Sequence, residues 1–211
     1  YGNNGTLTLG PVITNDVPSR YFSTRSVSFD GVDDYVTFGT PSNLNNLTDK
    51  TLSVWVKLSS TPSVNYRLFD KSDAVGANGL KLYIDSNLKI VAVTASFSTT
   101  DPTTTTSNTL SLNTWTLVTA IFNSSTLKWS ISINGIEASY SSQVAGVGTA
   151  PNDSANALGL GAAIAANTRY FNGLIDDVRI YNRVLPAAAI RDPESKAPPG
   201  SPPSPGPQTP P

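Results

Sequence analysis

The stretch FDGVDDYVTF, residues 29 to 38, places Asp30, Asp33 and Asp34 among aromatic and β-branched residues. Apolar residues alternate with polar ones on both sides of the aspartates, which is the pattern of half-buried β-strands. Carboxylates are costly to bury unless they accept hydrogen bonds or bind a metal. The stretch therefore predicts two short strands joined by an acidic turn at Gly31.

The same alternation recurs along the chain and predicts an all-β fold, a sandwich of two antiparallel sheets. Asn134 and Gly135 form the strongest hairpin signal, since a type I′ turn needs positive φ at both central residues. Only residues 185–192 are predicted to be helical, with Pro186 near the start of that segment. The predicted strands are residues 25–30, 34–38, 51–58, 80–84, 88–93, 114–122, 127–133 and 174–181.

Composition excludes several classes of function. The chain has 14 basic and 15 acidic residues, so it lacks the positive surplus that binding to a nucleic acid requires. It contains no cysteine and no histidine, which excludes disulfides, imidazole or thiolate metal sites, and Cys or His catalysis. Any bound metal would need oxygen ligands. No apolar run is long enough to cross a membrane as a helix, so no membrane insertion is expected.

The low charge content, 14% of residues, and the abundance of Ser, Thr and Asn are typical of exported proteins. An extracellular or cell-surface location is therefore predicted. Four N-x-[ST] triplets agree with this prediction and are candidates for glycosylation. They begin at Asn4, Asn46, Asn123 and Asn152.

The order of the motifs resembles that of laminin-G-like domains, which are jelly rolls of the concanavalin A-like class. The resemblance rests on SVSFDGVDDYVTFG, LSVWVKL, NTWTLVTAIF, LKWSISINGIEAS and FNGLIDDVRIYNRVL, and it extends from about Asn3 to Ile190. One departure is Leu117, which stands where the family often has a histidine. The predicted organisation is a jelly-roll domain at residues 1–192 followed by a proline-rich extended tail at residues 193–211.

The resemblance implies binding of glycans or proteins, or a role in adhesion. Some relatives of this fold are glycoside hydrolases, which need two carboxylates facing each other across the substrate. This chain has only two glutamates, Glu137 and Glu194, and neither lies in a strand pattern of the hydrolase type. The chain is therefore predicted not to be an enzyme.

The resemblance also implies a structural calcium ion where the last strand meets the loop after an early strand. Alternation puts Asp176 on the same face as Val178 and Ile180, so Asp176 is predicted to point inward beside the acidic turn. Asp30 and Asp176 are the predicted calcium ligands. The alternative is that Asp30 caps the turn at Gly31 and that Asp33 and Asp34 are solvated. In that case Asp176 accepts backbone N–H groups or pairs with Arg179 or another basic residue.

The aromatic residues of the sequence do not identify one position at which a glycan would bind. Alternation predicts that Trp55, Trp115 and Trp129 pack in the core or between the sheets. Tyrosines in predicted loops are the better candidates for stacking against a sugar. These are Tyr66, Tyr140 and Tyr170.

Two features at the ends of the sequence suggest assembly. Domains of this family usually begin with a further strand that is missing here, which would leave an unpaired edge on the last strand at 174–181. The tail is too rich in proline to enter a central strand. Its predicted assembly residues are Pro198, Pro199, Pro202, Pro203, Pro205, Pro207, Pro210 and Pro211.

These observations leave two hypotheses. The leading one is a non-enzymatic extracellular subunit that forms a homo-oligomer or filament, in which terminal segments of neighbours contact each jelly roll. The alternative is a calcium-dependent carbohydrate-binding module of a larger secreted adhesin or glycoside hydrolase, with the tail acting as a linker.

Overall fold

A computed structural model describes residues 3–19, 23–74 and 78–186 of the chain. Most of the predicted helix at 185–192 and the whole tail at 193–211 lie outside the described residues. The regular secondary structure of the described part is almost entirely β, with one 3₁₀ turn at Ser42–Leu44. The strands are β1 (Thr6–Thr8), β2 (Val12–Thr14), β3 (Ser26–Asp30), β4 (Tyr35–Thr37), β5 (Lys50–Leu58), β6 (Tyr66–Ser72), β7 (Gly79–Ile84), β8 (Lys89–Ala95), β9 (Thr103–Thr109), β10 (Thr116–Asn123), β11 (Lys128–Ile133), β12 (Ile136–Glu137), β13 (Tyr140–Val144), β14 (Gly159–Leu160) and β15 (Asn172–Tyr181).

The strands form two antiparallel sheets, which confirms the predicted two-sheet sandwich. The eight-stranded sheet has the order β1-β4-β14-β6-β7-β8-β9-β13, and the seven-stranded sheet has the order β12-β11-β10-β5-β15-β3-β2. All eight predicted strands are present, as β3, β4, β5, β7, β8, β10, β11 and β15. The predicted hairpin at Asn134 and Gly135 joins β11 to β12, and both residues have positive φ.

Alternate residues of each sheet point into a shared apolar core. In β5 the inward residues are Leu52, Val54, Val56 and Leu58, and all four are fully buried. Trp129 is also fully buried and packs against Phe122 with ring centroids 5.2 Å apart. Core packing is therefore confirmed for Trp129. It is wrong for Trp55 and Trp115, which are half-buried and lie outside the core.

A β-bulge in β15 corrects the predicted facing of its residues. The register with β5 shifts between Asp176 and Arg179, and Asp177 has a φ of 44°. Ile175 faces the core before the bulge, whereas Val178 and Ile180 pack against the core after it. An extra residue in one strand reverses the alternation. The prediction that Asp176 shares the inward face of Val178 and Ile180 is therefore wrong.

The neighbours of β15 limit the predicted free edge. β15 lies between β5 and β3, and residues Asn172 to Ile175 pair with β3. From Asp176 to Tyr181, the described residues provide a strand partner only on the β5 side. The unpaired edge is thus confined to the second half of the strand, because β3 covers the first half.

Candidate functional site

The acidic turn between β3 and β4 is held by hydrogen bonds from its own backbone. The Val32 N–H donates to Asp30 Oδ1 at 2.8 Å, and the Asp30 N–H donates to Asp34 Oδ2 at 2.9 Å. Gly31 supplies the positive φ, 81°, that the turn requires. Asp34 is buried, and burial is the main reason why its pKa is raised, with the charges of Asp30 and Asp33 adding to the effect. Turn capping, the predicted alternative for Asp30, is therefore present, whereas the expectation that Asp34 is solvated is wrong.

The structure does not bring Asp30 and Asp176 together as ligands of one ion. Asp30 pairs with Asn172 on β15, whereas Asp176 lies four residues further along and pairs with Trp55. At the rise of a β-strand this separates the two positions by about 13 Å. Asp176 also points to the outer face, because it directly follows the inward-facing Ile175. The prediction of a shared site is therefore corrected.

Carboxylate oxygens of Asp30, Asp33 and Asp34 lie within 4.8 Å of one another. This donor set fits calcium, a hard cation that prefers oxygen ligands. The three residues would hold the ion, which would link the end of β3 to the start of β4. Calcium binding itself stays a prediction, now with Asp33 and Asp34 in place of Asp176.

Asp176 follows its predicted alternative in part. Its Oδ1 accepts hydrogen bonds from the Ser23 hydroxyl at 3.1 Å and from the Asp177 N–H at 2.7 Å. Burial raises its pKa, and these two bonds oppose the shift. The partner of Arg179 is Asp177, at 2.7 Å, and not Asp176. Asp176 therefore stabilises the bulge of β15.

A pocket of about 420 Å³ opens between the two sheets, where β5 begins. That volume lies within the range of small-molecule sites in proteins. Its apolar lining includes Leu47, Phe97, Phe122, Leu127, Ala150 and Pro151. Its polar lining includes Asn46, Lys50, Thr94, Ser124, Asn152 and Asp153. The pocket thus combines aromatic surface with hydrogen-bonding groups.

Lys50 lies in the pocket because it is in phase with the core residues of β5. Side chains of a strand alternate between its two faces, so Lys50 lies on the same face as Leu52 and Val54. Only 5% of the residue is exposed. The Lys50 Nζ lies 5.1 Å from the centre of the Phe122 ring. Within the described residues it makes no hydrogen bond and has no carboxylate within 4.0 Å. Lys50 is therefore a buried cation without an ion pair.

The surroundings of Lys50 change its acidity. Burial is the largest cause that lowers the pKa of Lys50, to about 8, and the positive charge of Lys71 lowers it further. The negative charges of Asp153 and Asp49 oppose this shift but do not cancel it. Loss of hydration thus outweighs the nearby carboxylates.

Lys71 enters the same region from β6 of the facing sheet, and it is paired. Its Nζ donates to Asp153 Oδ1 at 2.9 Å and also to the Asp153 carbonyl. Asn46 fixes that carboxylate, because its N–H donates to Asp153 Oδ1 at 2.8 Å. Both members of the Lys71–Asp153 pair are buried. The carboxylate nearest the pocket is thus already neutralised by Lys71.

Thr94 adds a second polar group without a partner. It lies on the inner face of β8, in phase with Ile90 and Ala92, and it lines the pocket. Its Oγ1 is buried and has no hydrogen-bond partner among the described residues. Buried polar groups in native proteins are nearly always satisfied. The pocket therefore contains two donors on buried residues, Lys50 Nζ and Thr94 Oγ1, that have no acceptor among the described residues.

A second charged cluster occupies the outer face of the eight-stranded sheet. Arg67 Nε lies 2.8 Å from Asp70 Oδ2, and its guanidinium lies 4.7 Å from the centre of the Tyr83 ring. The cross-strand neighbours of Arg67 and Asp70 are Tyr83 and Lys81. Arg67 and Asp70 are both buried, and each contacts the other. This cluster ties β6 to β7 and has no adjoining cavity comparable to the pocket in the described structure.

The tyrosines proposed as sugar platforms have other contacts. Tyr66 is buried in the core beside Phe171, so the expectation for it is wrong. The Tyr140 hydroxyl donates to Glu137 at 2.8 Å, and the Tyr170 hydroxyl donates to Asn167 at 2.6 Å. Both of these tyrosines are half-buried. None of the three lines the pocket.

The predicted glycosylation sites cluster near the pocket. Asn46 and Asn152 are exposed residues of its rim, and Asn123 immediately precedes the lining residue Ser124. Asn4 is exposed near β1. Modification of the four asparagines stays a prediction.

Sequence reasoning missed Lys50, Thr94 and Asp153. A signal for Lys50 was present, since it lies one residue before the predicted strand at 51–58 and is in phase with Leu52, Val54 and Val56. Thr94 lies one residue beyond the predicted strand at 88–93. Asp153 has no comparable signal, because a loop brings it between the sheets.

Two antiparallel sheets packed over one core, with almost no helix, define a jelly-roll sandwich of the concanavalin A-like class. A family profile agrees and matches residues 30–191. The chain therefore belongs to the concanavalin A-like lectin/glucanases superfamily.

Solved structures show the same fold. The receptor-binding domain of botulinum neurotoxin mosaic serotype C/D aligns with a TM-score of 0.63 at 16% identity, over 90% of this chain and 45% of that chain. Domain 4 of an extracellular arabinanase from Geobacillus stearothermophilus, solved with arabinotriose, aligns with a TM-score of 0.62 at 18% identity, over 89% of this chain and 86% of that domain. A third structure is of botulinum neurotoxin type C, a toxin whose cell entry depends on interaction with two ganglioside molecules. It aligns with a TM-score of 0.59 at 16% identity, over 90% of this chain and 46% of that chain.

The chain thus spans less than half the length of the two neurotoxin chains. No curated protein sequence matches the chain significantly. In the described part of the structure, no helix has the length and apolar character needed to cross a bilayer.

Proposed function

We propose that this chain is a non-catalytic carbohydrate-binding domain and that the pocket between the sheets at the start of β5 binds the sugar. The observation that carries the proposal is the composition of this 420 Å³ pocket, in which Phe97 and Phe122 lie beside amide, hydroxyl and ammonium groups. Sugars present both apolar ring faces and many hydroxyls, so such a lining suits them.

The relatives support this proposal. The arabinanase domain was solved with arabinotriose, and the type C neurotoxin interacts with gangliosides. Both are carbohydrate-containing ligands bound by proteins of the same fold. These relatives favour the carbohydrate-binding hypothesis over filament assembly, which stays a prediction because its proposed tail lies outside the described residues.

The carboxylates of the pocket support binding without catalysis. Glycoside hydrolysis needs two carboxylates on opposite sides of the bond that is cleaved. The described lining offers one carboxylate, Asp153, and Lys71 holds it in an ion pair. The domain would then serve as a binding module of a larger secreted protein.

The test is a glycan array probed with the wild-type protein and with Ala150→Trp. Ala150 is an exposed residue of the pocket lining, so an indole there would fill the opening while leaving the core unchanged. The matched control is Thr61→Trp, an exposed residue outside the lining. We expect binding to be lost in Ala150→Trp and retained in Thr61→Trp. Equal binding by both variants would locate the sugar elsewhere, and no binding to any glycan would refute the proposed function.

A further inference from the structure

We propose that the pocket selects sugars that carry a carboxylate, such as uronic acids, and that the Lys50 ammonium pairs with this carboxylate. The proposal rests on the proposed function, since it names the class of sugar that the same pocket binds. It follows from the charges and unsatisfied donors of the pocket.

The buried charges do not balance. Lys50 and Lys71 enter the region from the two facing sheets, and the carboxylate buried between them is Asp153. Lys71 and Asp153 neutralise each other at 2.9 Å. Asp49 directs its carboxylate to Ser124, whose N–H and hydroxyl donate to it at 2.8 and 2.7 Å. Asp49 keeps its charge, but it is less buried and forms no ion pair with Lys50 among the described residues. Of the three buried charges, Lys50 is therefore the one without an ion pair.

A buried charge without a partner is strongly unfavourable. The Phe122 ring offsets a small part of this cost through a cation–π contact. Burial still lowers the pKa of Lys50 to about 8, so that contact does not replace an anion. An anionic group in the pocket would supply the missing partner.

The second donor indicates the shape of the anion. Thr94 Oγ1 is buried without a partner in the described structure, and it lines the same cavity as Lys50. One ammonium and one hydroxyl match the two oxygens of a carboxylate. Sulfate and phosphate are more often bound by Arg side chains or several N–H groups, and the described lining contains no arginine. The aromatic walls then accommodate the ring that bears the carboxylate.

The experiment titrates the protein with galacturonic acid, glucuronic acid and the uncharged methyl ester of each, with affinity measured from NMR chemical shifts. Galactose 6-sulfate is included as a second anion. We expect the free acids to bind about 10 to 100 times more tightly than their esters, the range for a hydrogen bond to a charged group. Lys50→Met should abolish this preference while retaining binding of the esters.

A second variant, at Thr94, tests the same carboxylate site without changing Lys50, so an indirect effect of Lys50→Met would not influence it. Thr94→Val keeps the shape of the side chain and removes the hydroxyl, so it should weaken binding of the acids about 2- to 13-fold, the range for a neutral hydrogen bond. Ala150→Trp should remove binding of acids and esters alike. In the wild-type protein, the largest changes in chemical shift on binding should occur at Lys50 and Thr94.

Raising the pH gives an independent readout. The charged groups around Lys50 are Asp153, Lys71 and Asp49. Lys50 loses its proton as the pH rises past about 8, so affinity for the acids should fall above that pH, and affinity for the esters should not. Proton uptake on binding near pH 8, seen as a dependence of the calorimetric heat on buffer, should accompany the acids only.

The outcomes separate this inference from the proposed function. Equal binding of acids and esters, blocked by Ala150→Trp, would overturn the inference and leave the carbohydrate pocket intact. A stronger response to galactose 6-sulfate than to the uronic acids would overturn the choice of carboxylate. Absence of binding to every sugar would overturn both.

Discussion

The two ends of β5 present opposite solutions to the problem of charge in a β-sandwich. Near Leu58, the acidic turn of Asp30 and Asp34 satisfies its carboxylates with backbone N–H groups. Near Lys50, about 26 Å away along the strand, a buried ammonium has no acceptor among the described residues. At the acidic end, two carboxylates accept hydrogen bonds from the backbone of the turn, whereas at the basic end the ammonium has no acceptor among the described residues.

This difference separates a structural feature from a binding feature. Hydrogen bonds within the acidic turn stabilise the folded chain directly, so the turn needs no ligand in order to form. Lys50 lowers the stability of the folded chain at neutral pH, because its charged form is poorly solvated in the pocket. A residue that costs stability and faces a cavity is a better candidate for function.

The largest effect is expected from breaking the Lys71–Asp153 ion pair at the basic end. Lys71→Met would leave Asp153 buried without its cation, and such a loss typically costs about 3–5 kcal/mol. The free energy of unfolding, measured with urea, should fall by that amount. Adding Asp153→Asn to Lys71→Met should recover most of the loss. An unchanged stability of the single variant would show that Lys50 can take over the pairing.

Replacing Lys50, the lysine without an ion pair, should raise the free energy of unfolding instead of lowering it. The pKa of Lys50 is lowered from 10.5 to about 8, which corresponds to about 3 kcal/mol at pH values below 8. Lys50→Met should therefore raise the free energy of unfolding at pH 7 by up to about 3 kcal/mol.

The extra stability of Lys50→Met over the wild type should decrease as the pH rises. Between about pH 8 and 10.5 the unfolded chain binds more protons than the folded chain, so the wild type becomes more stable as the pH rises. The advantage of Lys50→Met should shrink across this window. Lys128→Met, at an exposed lysine at the start of β11, is the control and should show neither effect. A destabilised Lys50→Met at pH 7 would contradict the assignment of Lys50 as unpaired.

Smaller effects are expected at the acidic turn. Asp34→Ala removes the acceptor of the Asp30 N–H and should cost about 1–2 kcal/mol. Asp34→Asn keeps an acceptor oxygen and removes a charge whose burial raises the pKa, so it should be neutral or stabilising at pH 7. Thermal unfolding of the two variants checks this difference. Equal losses would show that the charge, and not the hydrogen bond, holds the turn.

The smallest effect tests calcium at the same turn. If Asp30, Asp33 and Asp34 bind the ion, calcium at ten times its Kd should stabilise the chain by about 1.4 kcal/mol. Asp33→Asn and Asp34→Asn should each reduce that gain, and Asp176→Asn should leave it unchanged because Asp176 lies elsewhere on β15. A melting temperature that does not respond to calcium would contradict the predicted metal site.

Much of the fold was predictable because apolar and polar residues alternate in the sequences of the eight predicted strands. Two strands that sequence reasoning missed, β6 and β9, lack a regular alternation of this kind. β6, with the sequence YRLFDKS, is buried on both faces and places Arg67, Asp70 and Lys71 in the sheet interior. β9, with the sequence TTTTSNT, consists of polar residues that also suit a loop. In it Thr104 and Thr106 are buried and use their hydroxyls in hydrogen bonds to Trp129 and to Ile90 and Asn108.

The candidate site was less predictable than the fold. The motif containing Asp30 correctly indicated a turn, but Asp30 pairs with Asn172, four residues before Asp176, and the bulge at Asp177 reverses the alternation beyond Asp176. A bulge depends on how two distant strands align, and that alignment has no local signature in LIDDVRIY. The pocket required Lys50, Thr94 and Asp153 to meet from two strands and a loop.

By itself the sequence determined the all-β class, eight of the strands and the acidic turn, because these depend on local alternation and local hydrogen bonds. It also placed Lys50 in phase with the core of β5. Only the tertiary structure decided which of two inward lysines found a carboxylate. That choice depends on the loop carrying Asp153, which reaches Lys71 and leaves Lys50 facing the pocket.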